Sequence, residues 1–85
     1  MPKISIYTTQ TCPYCIAAKA LLRKKGATFE EIAVDGRPDL REAMRKRSNG
    51  GSTVPQIFIG DVHVGGCDDL HELDRAGGLD PLLAG

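Results

Sequence analysis

Four short stretches of this 85-residue chain are rich in β-branched and aromatic residues, a composition that predicts β-strands. In the first of them, Ile4 and Ile6 alternate with polar side chains. The last two stretches are separated by Gly60 and Asp61, a dipeptide typical of a tight hairpin. The predicted strands cover residues 3–8, 27–34, 56–60 and 62–66.

A longer stretch, residues 13–25, consists mostly of good helix formers and predicts an amphipathic helix. Lys19 and Arg23 lie on one side of this helix, and Gly26 is placed to end it. The opposite side is apolar, and we expect it to pack against the core. The residues on this expected core face are Ile16, Ala17, Ala20 and Leu21.

Two more helices are expected, over residues 39–47 with Pro38 in the first turn, and over the stretch that begins at Cys67, with Gly77 and Gly78 after it and then a short tail. The order of elements is then strand, helix, strand, helix, strand, strand, helix. A helix between the first two strands requires a crossover and a parallel pair, whereas the later hairpin adds antiparallel strands. The sequence therefore predicts one α/β domain, residues 1–85, with a small mixed sheet flanked by helices.

The composition is that of a globular chain, with 41% hydrophobic and 26% charged residues. No apolar stretch approaches the roughly 20 residues that span a bilayer. The N-terminal residues lack the charged, apolar and small-residue regions of a secretory signal. We therefore expect a cytoplasmic protein without membrane association.

The formal net charge is zero, but the charges are unevenly distributed. Residues 1–47 carry 10 of the 11 lysines and arginines and 5 of the 11 acidic residues, a net charge of +5, and residues 48–85 carry −5. The balanced total argues against nucleic acid as the main partner. The basic half can still attract small anionic ligands to a site that it borders.

The chemistry of the chain centres on Cys12 and Cys15, a Cys-x-x-Cys pair placed where the first strand ends and the first helix begins. Such a pair can bind metal, form a structural disulfide or act in redox catalysis. The positive end of a helix dipole favours a thiolate, so the pKa of Cys12 should fall below about 8.5. Cys15 lies deeper in the helix, which suggests that Cys12 attacks and Cys15 resolves.

A zinc site would need two further ligands, for which His63, Cys67 and His71 are candidates. There is no second Cys-x-x-Cys, and the domain has enough apolar residues to form a core without metal. An odd number of cysteines also fits poorly with a disulfide scaffold. We expect no bound metal.

Three separated segments, "YTTQTCPYC", "STVPQIFIG" and "GGCDDLHELDRAGGLDPLL", together resemble the glutaredoxins, most closely the small bacterial dithiol type with a Cys-Pro-Tyr-Cys site. The resemblance extends over essentially the whole chain. It implies a thioredoxin-like fold with a four-stranded mixed sheet. It also implies glutathione-dependent reduction of disulfides in proteins and small molecules and of glutathione mixed disulfides.

Further expectations follow from the same resemblance. Glutathione would be a co-substrate and no cofactor would be bound. Partners would be glutathionylated or disulfide-containing proteins, with electrons supplied from NADPH through glutathione reductase. We expect a monomer.

The resemblance also implies roles for individual residues. Cys12 would be the nucleophile and Cys15 the resolving thiol. The proline of the Thr-Val-Pro segment would be cis, which would expose the backbone of Val54 to the cysteine part of glutathione. The other residues implied to contact glutathione are Tyr14, Thr53, Pro55, Gly66, Cys67 and Asp68.

Two positions are expected to affect how the glycine carboxylate of glutathione is bound. Many family members have a lysine three residues before the nucleophile, whereas this chain has Thr9, which can hydrogen-bond but brings no charge. Arg41 in the second predicted helix resembles the family's second contact to the same carboxylate. The affinity for glutathione is therefore less well determined by the sequence than the thiol chemistry.

Two other functions are compatible with the sequence. The first is an iron–sulfur carrier that uses Cys12 and glutathione, against which the stiff Pro13 argues. The second is a thioredoxin-like reductant supplied by a flavin reductase instead of by glutathione. The Thr-Val-Pro and Gly-Gly-Cys-Asp-Asp segments favour glutathione.

Overall fold

The computed structural model describes residues 2–85 and contains, within that range, four strands and four helices. The order of the elements agrees with the order predicted from the sequence, with a short helix in place of the tail. They are β1 (Ile4–Thr8), α1 (Pro13–Lys24), β2 (Glu30–Ala33), α2 (Pro38–Arg47), β3 (Gln56–Ile59), β4 (Val62–Gly65), α3 (Cys67–Arg75) and α4 (Leu79–Ala84).

The four strands form one mixed sheet in the order β2-β1-β3-β4. β1 and β2 are parallel, with Ser5 opposite Glu30, and α1 makes the crossover between them. β3 pairs antiparallel with both β1 and β4, and the β3–β4 ladder contains an irregularity between Ile57 and Phe58. The predicted α/β architecture, a four-stranded mixed sheet flanked by helices, is confirmed.

Side chains alternate between the two faces of the sheet and form two apolar clusters. Ile4, Ile6, Ile57 and Ile59 belong to the larger cluster, which includes buried residues of α1, α3 and α4. The smaller cluster lies against α2 and consists of Tyr7, Val34, Met44 and Phe58. Because helices cover both faces, all five residues of β1 are buried, including the polar Ser5 and Thr8.

The predicted core face of α1 was wrong for three of its four residues. Ile16 is 58% exposed, and Ala17 and Ala20 are exposed as well, whereas Leu21 is buried as expected. The buried residues of α1 are Cys15, Ala18, Leu21 and Leu22. The helix carries apolar residues over more than half of its circumference, so its own pattern does not fix its rotation. The rotation of α1 is fixed instead by its packing against the sheet and α3.

The second strand is also shorter than its composition predicted, covering Glu30–Ala33 instead of residues 27–34. Ala27 and Val34, at the ends of the predicted stretch, are buried but lie outside the paired strand. They supply apolar contacts to the two core clusters, one to each. Burial therefore explains the apolar residues at these positions, although the N–H of Val34 still donates to the carbonyl oxygen of Thr8 at 2.9 Å.

Candidate active site

Cys12 occupies the N-cap of α1, directly after the loop that follows β1. Its sulfur accepts a hydrogen bond from the backbone N–H of Cys15 at 3.3 Å. On the other side, the Cys12 thiol donates to the carbonyl oxygen of Val54 at 3.8 Å. The loop itself is held by Asp35, whose carboxylate accepts from the N–H of Gln10 at 3.0 Å. Cys12 is half-buried, so its sulfur remains accessible.

Two opposing effects act on the ionisation of Cys12. Burial raises its pKa, but hydrogen bonds from the Cys15 side chain, from the N–H groups of Cys15 and Tyr14 and from the Thr9 side chain outweigh it. The net result is a pKa of Cys12 below the ordinary value for a cysteine. This agrees with the prediction that the start of the helix favours a thiolate.

Cys15 has the opposite environment. Its side chain is fully buried, and burial together with the hydrogen bond and charge of Cys12 raises the pKa of Cys15 to about 11. A backbone hydrogen bond from Thr9 and the positive charge of Lys19 lower the pKa only in part. The pair therefore consists of one thiol that ionises more readily than an ordinary cysteine and one that stays protonated at neutral pH.

A groove of about 350 Å³ is lined by Val54, whose carbonyl oxygen contacts Cys12, and by Tyr14, which follows Pro13 in the first turn of α1, although neither Cys12 nor Cys15 lines it. One wall is formed by the segment that precedes β3 and the start of β3. The other is formed by the end of β4 and the first turn of α3. The lining residues are Tyr14, Thr53, Val54, Pro55, Gln56, His63, Gly65, Gly66, Cys67, Asp68 and Asp69.

Most of the residues singled out in the sequence meet at this groove. Seven line it directly, and the Val54–Pro55 peptide bond is cis, as the resemblance implied. Thr9 does not line the groove, but its side chain helps to lower the pKa of Cys12. Arg41 is exposed on α2 and is not among the lining residues. The seven lining residues are Tyr14, Thr53, Val54, Pro55, Gly66, Cys67 and Asp68.

Four lining residues were not predicted to contact glutathione: Gln56, His63, Gly65 and Asp69. Two of them shape the start of α3. The carboxylate of Asp69 accepts from the N–H of Gly66 at 2.9 Å, closing the first turn. Gly65 has φ +111°, and a Cβ atom there would lie 2.9 Å from Cγ of Asp69. The spacing Gly-x-x-Asp before a helical stretch was the available signal for this cap.

Cys67 lies in the same groove but is not poised to react. It is only 7% exposed, and burial, followed by the charges of Asp68 and Cys12, raises the pKa of its thiol. His71, one turn further on, donates from Nδ1 to the carbonyl oxygen of Cys67 at 2.9 Å, with the Cys67 sulfur 3.4 Å away. In this environment the thiol of Cys67 ionises less readily than an ordinary cysteine, so Cys67 contributes its backbone and small size to the groove.

The candidate zinc ligands are occupied in other ways. His63 bonds with Gln56 through Nε2 at 2.7 Å, and His71 bonds within its own helix. Over residues 2–85, no group of three His, Cys, Asp or Glu side chains is arranged to hold a metal ion. Within the same residues, none of the helices is long and apolar enough to span a membrane.

Comparison with known proteins agrees with this geometry. The Glutaredoxin family model matches residues 4–64. A glutaredoxin of Pseudomonas aeruginosa is 61% identical over 84 residues, covering 99% of both chains. The solution structure of glutaredoxin from Brucella melitensis has a TM-score of 0.84 at 57% identity, covering 98% of this chain and 89% of that one.

A more distant neighbour carries a ligand. The crystal structure of a buckwheat glutaredoxin–glutathione complex has a TM-score of 0.87 at 34% identity, covering 98% of this chain and 77% of that one. Fold and site together define a thiol–disulfide oxidoreductase with a thioredoxin-like fold. The chain belongs to the glutaredoxin family, and it is a glutathione-dependent oxidoreductase.

Proposed function

We propose that this protein reduces glutathione mixed disulfides and disulfides of proteins and small molecules, with Cys12 as the nucleophile and Cys15 as the resolving thiol. The observation that carries the assignment is the difference between the two cysteines. Cys12 is accessible with a lowered pKa, whereas Cys15 is fully buried with a pKa raised to about 11. Since the thiolate is the attacking form, Cys12 reacts first.

The groove beside Cys12 is the proposed glutathione site. The backbone of Val54 faces the Cys12 sulfur, where it can pair with the cysteine part of the tripeptide. The first turn of α3 has free N–H groups that suit the carboxylate of the γ-glutamyl end, and the exposed Asp68 suits its ammonium group. Tyr14, Thr53, Pro55, Gly66 and Cys67 complete the walls. The glutathione complex of the buckwheat relative supports this assignment.

The glycine carboxylate of glutathione is assigned to Thr9 and Arg41. The Thr9 side chain helps to lower the pKa of Cys12, the residue to which the glutathione sulfur would bind. Arg41 lies outside the groove, so a bound carboxylate would have to meet it at the edge of the site. With no lysine at position 9, we propose a weaker electrostatic contribution from this end of the ligand than from the γ-glutamyl end.

The monothiol reaction needs only Cys12. Its thiolate attacks the glutathione sulfur of a mixed disulfide, the disulfide bond breaks, and the substrate leaves as a thiolate that takes a proton from solvent. This step forms a Cys12–glutathione disulfide. A second glutathione thiolate then attacks the glutathione sulfur of that adduct, which releases glutathione disulfide and regenerates the Cys12 thiolate.

The dithiol reaction uses both cysteines. Cys12 attacks a substrate disulfide and forms a mixed disulfide, releasing one substrate thiol. Cys15 then loses its proton and attacks the Cys12 sulfur, so the second substrate thiol leaves and a Cys12–Cys15 disulfide forms. Two glutathione molecules reduce that disulfide. In our proposal, a separate NADPH-dependent glutathione reductase regenerates glutathione, and the protein acts as a cytoplasmic monomer.

A coupled assay tests the proposal against its main alternative. Turnover of a glutathionylated peptide is measured with glutathione, glutathione reductase and NADPH, and separately with thioredoxin reductase and NADPH. We expect turnover only with the glutathione system. Turnover with thioredoxin reductase alone would instead identify a reductant supplied by a flavin enzyme. Colour in the anaerobically purified protein would indicate the iron–sulfur alternative.

A further inference from the structure

A buried amide connects the proposed glutathione groove to the edge strand of the sheet. The side chain of Gln56 is only 6% exposed, although it lies at the start of β3 beside the groove. Its Oε1 lies 2.7 Å from Nε2 of His63 on β4. Its Nε2 donates to Oγ1 of Thr53 at 3.4 Å. His63, Gln56 and Thr53 thus form a continuous hydrogen-bonded chain.

The donor and the acceptor in each of these two hydrogen bonds follow from the chemistry of the three side chains. An amide oxygen only accepts, so His63 carries the hydrogen on Nε2 and donates it to Gln56. An amide nitrogen only donates, so the Thr53 hydroxyl is the acceptor of the second bond. A hydroxyl that accepts on one side keeps its own hydrogen free to donate elsewhere. The exposed side of Thr53 faces the groove, so that hydrogen is available to a ligand.

The neighbours of His63 and Gln56 hold both groups in place. The His63 ring stacks on Phe58, its cross-strand partner, with centroids 4.8 Å apart and an angle of 23° between the planes. Phe58 is itself nearly buried, and the guanidinium of Arg47 lies 4.2 Å from its ring centroid. A Cβ atom on Gly51 would lie 2.8 Å from Nε2 of Gln56, so a larger residue at position 51 would displace the amide.

We propose that His63 is a positioning residue that acts through Gln56 to keep the Thr53 hydroxyl a hydrogen-bond donor toward glutathione. Without the His63 donor, the amide of Gln56 can rotate by about 180° and present its oxygen to Thr53. The hydroxyl would then donate to Gln56 and offer only lone pairs to the groove. Glutathione presents carboxylate and carbonyl oxygens, which need donors. This inference rests on the proposed glutathione site.

The test compares two substitutions of His63 in the glutathione reductase-coupled assay with a glutathionylated peptide. His63→Phe keeps an aromatic ring on Phe58 but removes the N–H, and His63→Gln returns an amide N–H to about the same place. We expect His63→Phe to raise the KM for the glutathionylated peptide about three- to tenfold, which corresponds to the loss of one hydrogen bond. The kcat should be unchanged. His63→Gln should restore most of the wild-type KM.

A double-mutant cycle with Thr53→Val shows whether the effect passes through Thr53. Thr53→Val removes the hydroxyl, so His63→Phe should have no further effect on the KM in that background. Additive effects of the two substitutions would overturn the proposal. The proposal would also be overturned if His63→Phe left the KM unchanged. The same holds if both His63 variants lowered kcat and raised the KM to the same extent.

Val62→Phe is the matched control, because it adds an aromatic ring to the same strand at an exposed position outside the groove. It should leave both kinetic constants at their wild-type values. The Tm of each variant shows that folding is intact. If wild-type protein itself shows no glutathione-dependent turnover, the proposed function fails. If wild type turns over normally and His63→Phe does too, only the role of His63 fails.

Discussion

The backbone N–H of Cys15 points at the sulfur of Cys12 from 3.3 Å, so the reactive thiol is also the N-cap of its helix. A cap residue accepts hydrogen bonds from N–H groups that have no partner within the helix. A thiolate accepts such bonds better than a neutral thiol does. The same contact therefore begins α1 and favours the ionised form of Cys12.

Cys12→Ser should abolish reduction of both glutathionylated peptides and substrate disulfides, because a hydroxyl replaces the attacking thiolate. Cys15→Ser should remove the dithiol route and leave most of the deglutathionylation, which needs only Cys12. Both are measured in the glutathione reductase-coupled assay. Equal loss of the two activities in Cys15→Ser would contradict the assigned roles.

The raised pKa of Cys15 should fall when Cys12 is replaced. In the reduced protein, burial and the hydrogen bond and charge of Cys12 together raise the pKa of Cys15 to about 11. Cys12→Ala removes the hydrogen bond and the charge but leaves the burial, so the pKa of Cys15 should lie below about 11 and above its ordinary value. The pH dependence of Cys15 alkylation, followed by peptide mass spectrometry in a Cys67→Ser background, measures the change.

This result would have a direct consequence for the dithiol reaction. When Cys12 is in a mixed disulfide it carries no charge, so Cys15 becomes easier to ionise at the step where it must attack. The rate of attack by Cys12 should become independent of pH once Cys12 is fully ionised. The rate of the resolving attack by Cys15 should continue to rise at higher pH. An identical pH profile for the two steps would show that the pKa of Cys15 in the mixed disulfide is no higher than that of Cys12, against the expected effect of burial.

Thr9→Val should raise the pKa of Cys12, because the Thr9 side chain is one of the hydrogen-bonding groups that lower it. The pKa is read from the ultraviolet absorbance of the thiolate during a pH titration. Thr9→Ser, which keeps the hydroxyl, is the control and should titrate like wild type. A Cys12 titration unchanged in Thr9→Val would leave Thr9 with no role at the thiol.

Glu31→Gln should weaken the link between α1 and the edge of the sheet. The Glu31 carboxylate accepts from Lys19 at 2.9 Å and from Thr8 at 2.7 Å, and these bonds, in that order, hold its pKa below the ordinary value. Because the group is partly exposed, we expect a loss of about 1 kcal/mol or less in the free energy of unfolding at about pH 7.

The pH dependence of this loss has a defined sign. A carboxylate with a lowered folded-state pKa stabilises the protein above its unfolded pKa of about 4.3, and that stabilisation disappears as the pH falls through the folded value. Urea unfolding should therefore separate wild type from Glu31→Gln near neutral pH but not in acid. Glu30→Gln, whose contact to Lys3 is exposed at 3.8 Å, is the matched control and should change little at either pH.

Gly65→Ala should affect both stability and glutathione binding. The backbone at φ +111° disfavours a side chain by about 1–3 kcal/mol, and the new Cβ would press on the Asp69 carboxylate that caps Gly66. We expect a lower Tm and a higher KM for a glutathionylated peptide. Gly77→Ala, with φ +80° and nothing within 4 Å of its Cβ position, should lower the Tm but leave the KM unchanged.

The sequence by itself determined much of this protein. The apolar and turn residues predicted the order of all four strands and the first three helices, because strand and helix periodicities are local properties. The Cys-x-x-Cys spacing at a helix start predicted the lowered pKa of Cys12, since N-terminal N–H groups are present in any helix. The resemblance carried by three separated segments identified the family.

Other properties depend on which elements meet in three dimensions. The rotation of α1, which exposes Ile16 and buries Ala18, was set by the sheet and by α3 and not by the pattern of the helix itself. The groove brings Val54 and Asp68 together from distant parts of the chain, and it leaves Arg41 outside. The connection from His63 through Gln56 to Thr53 crosses two strands and a loop. Contacts of this kind are decided by tertiary packing, because no local periodicity links the residues that make them.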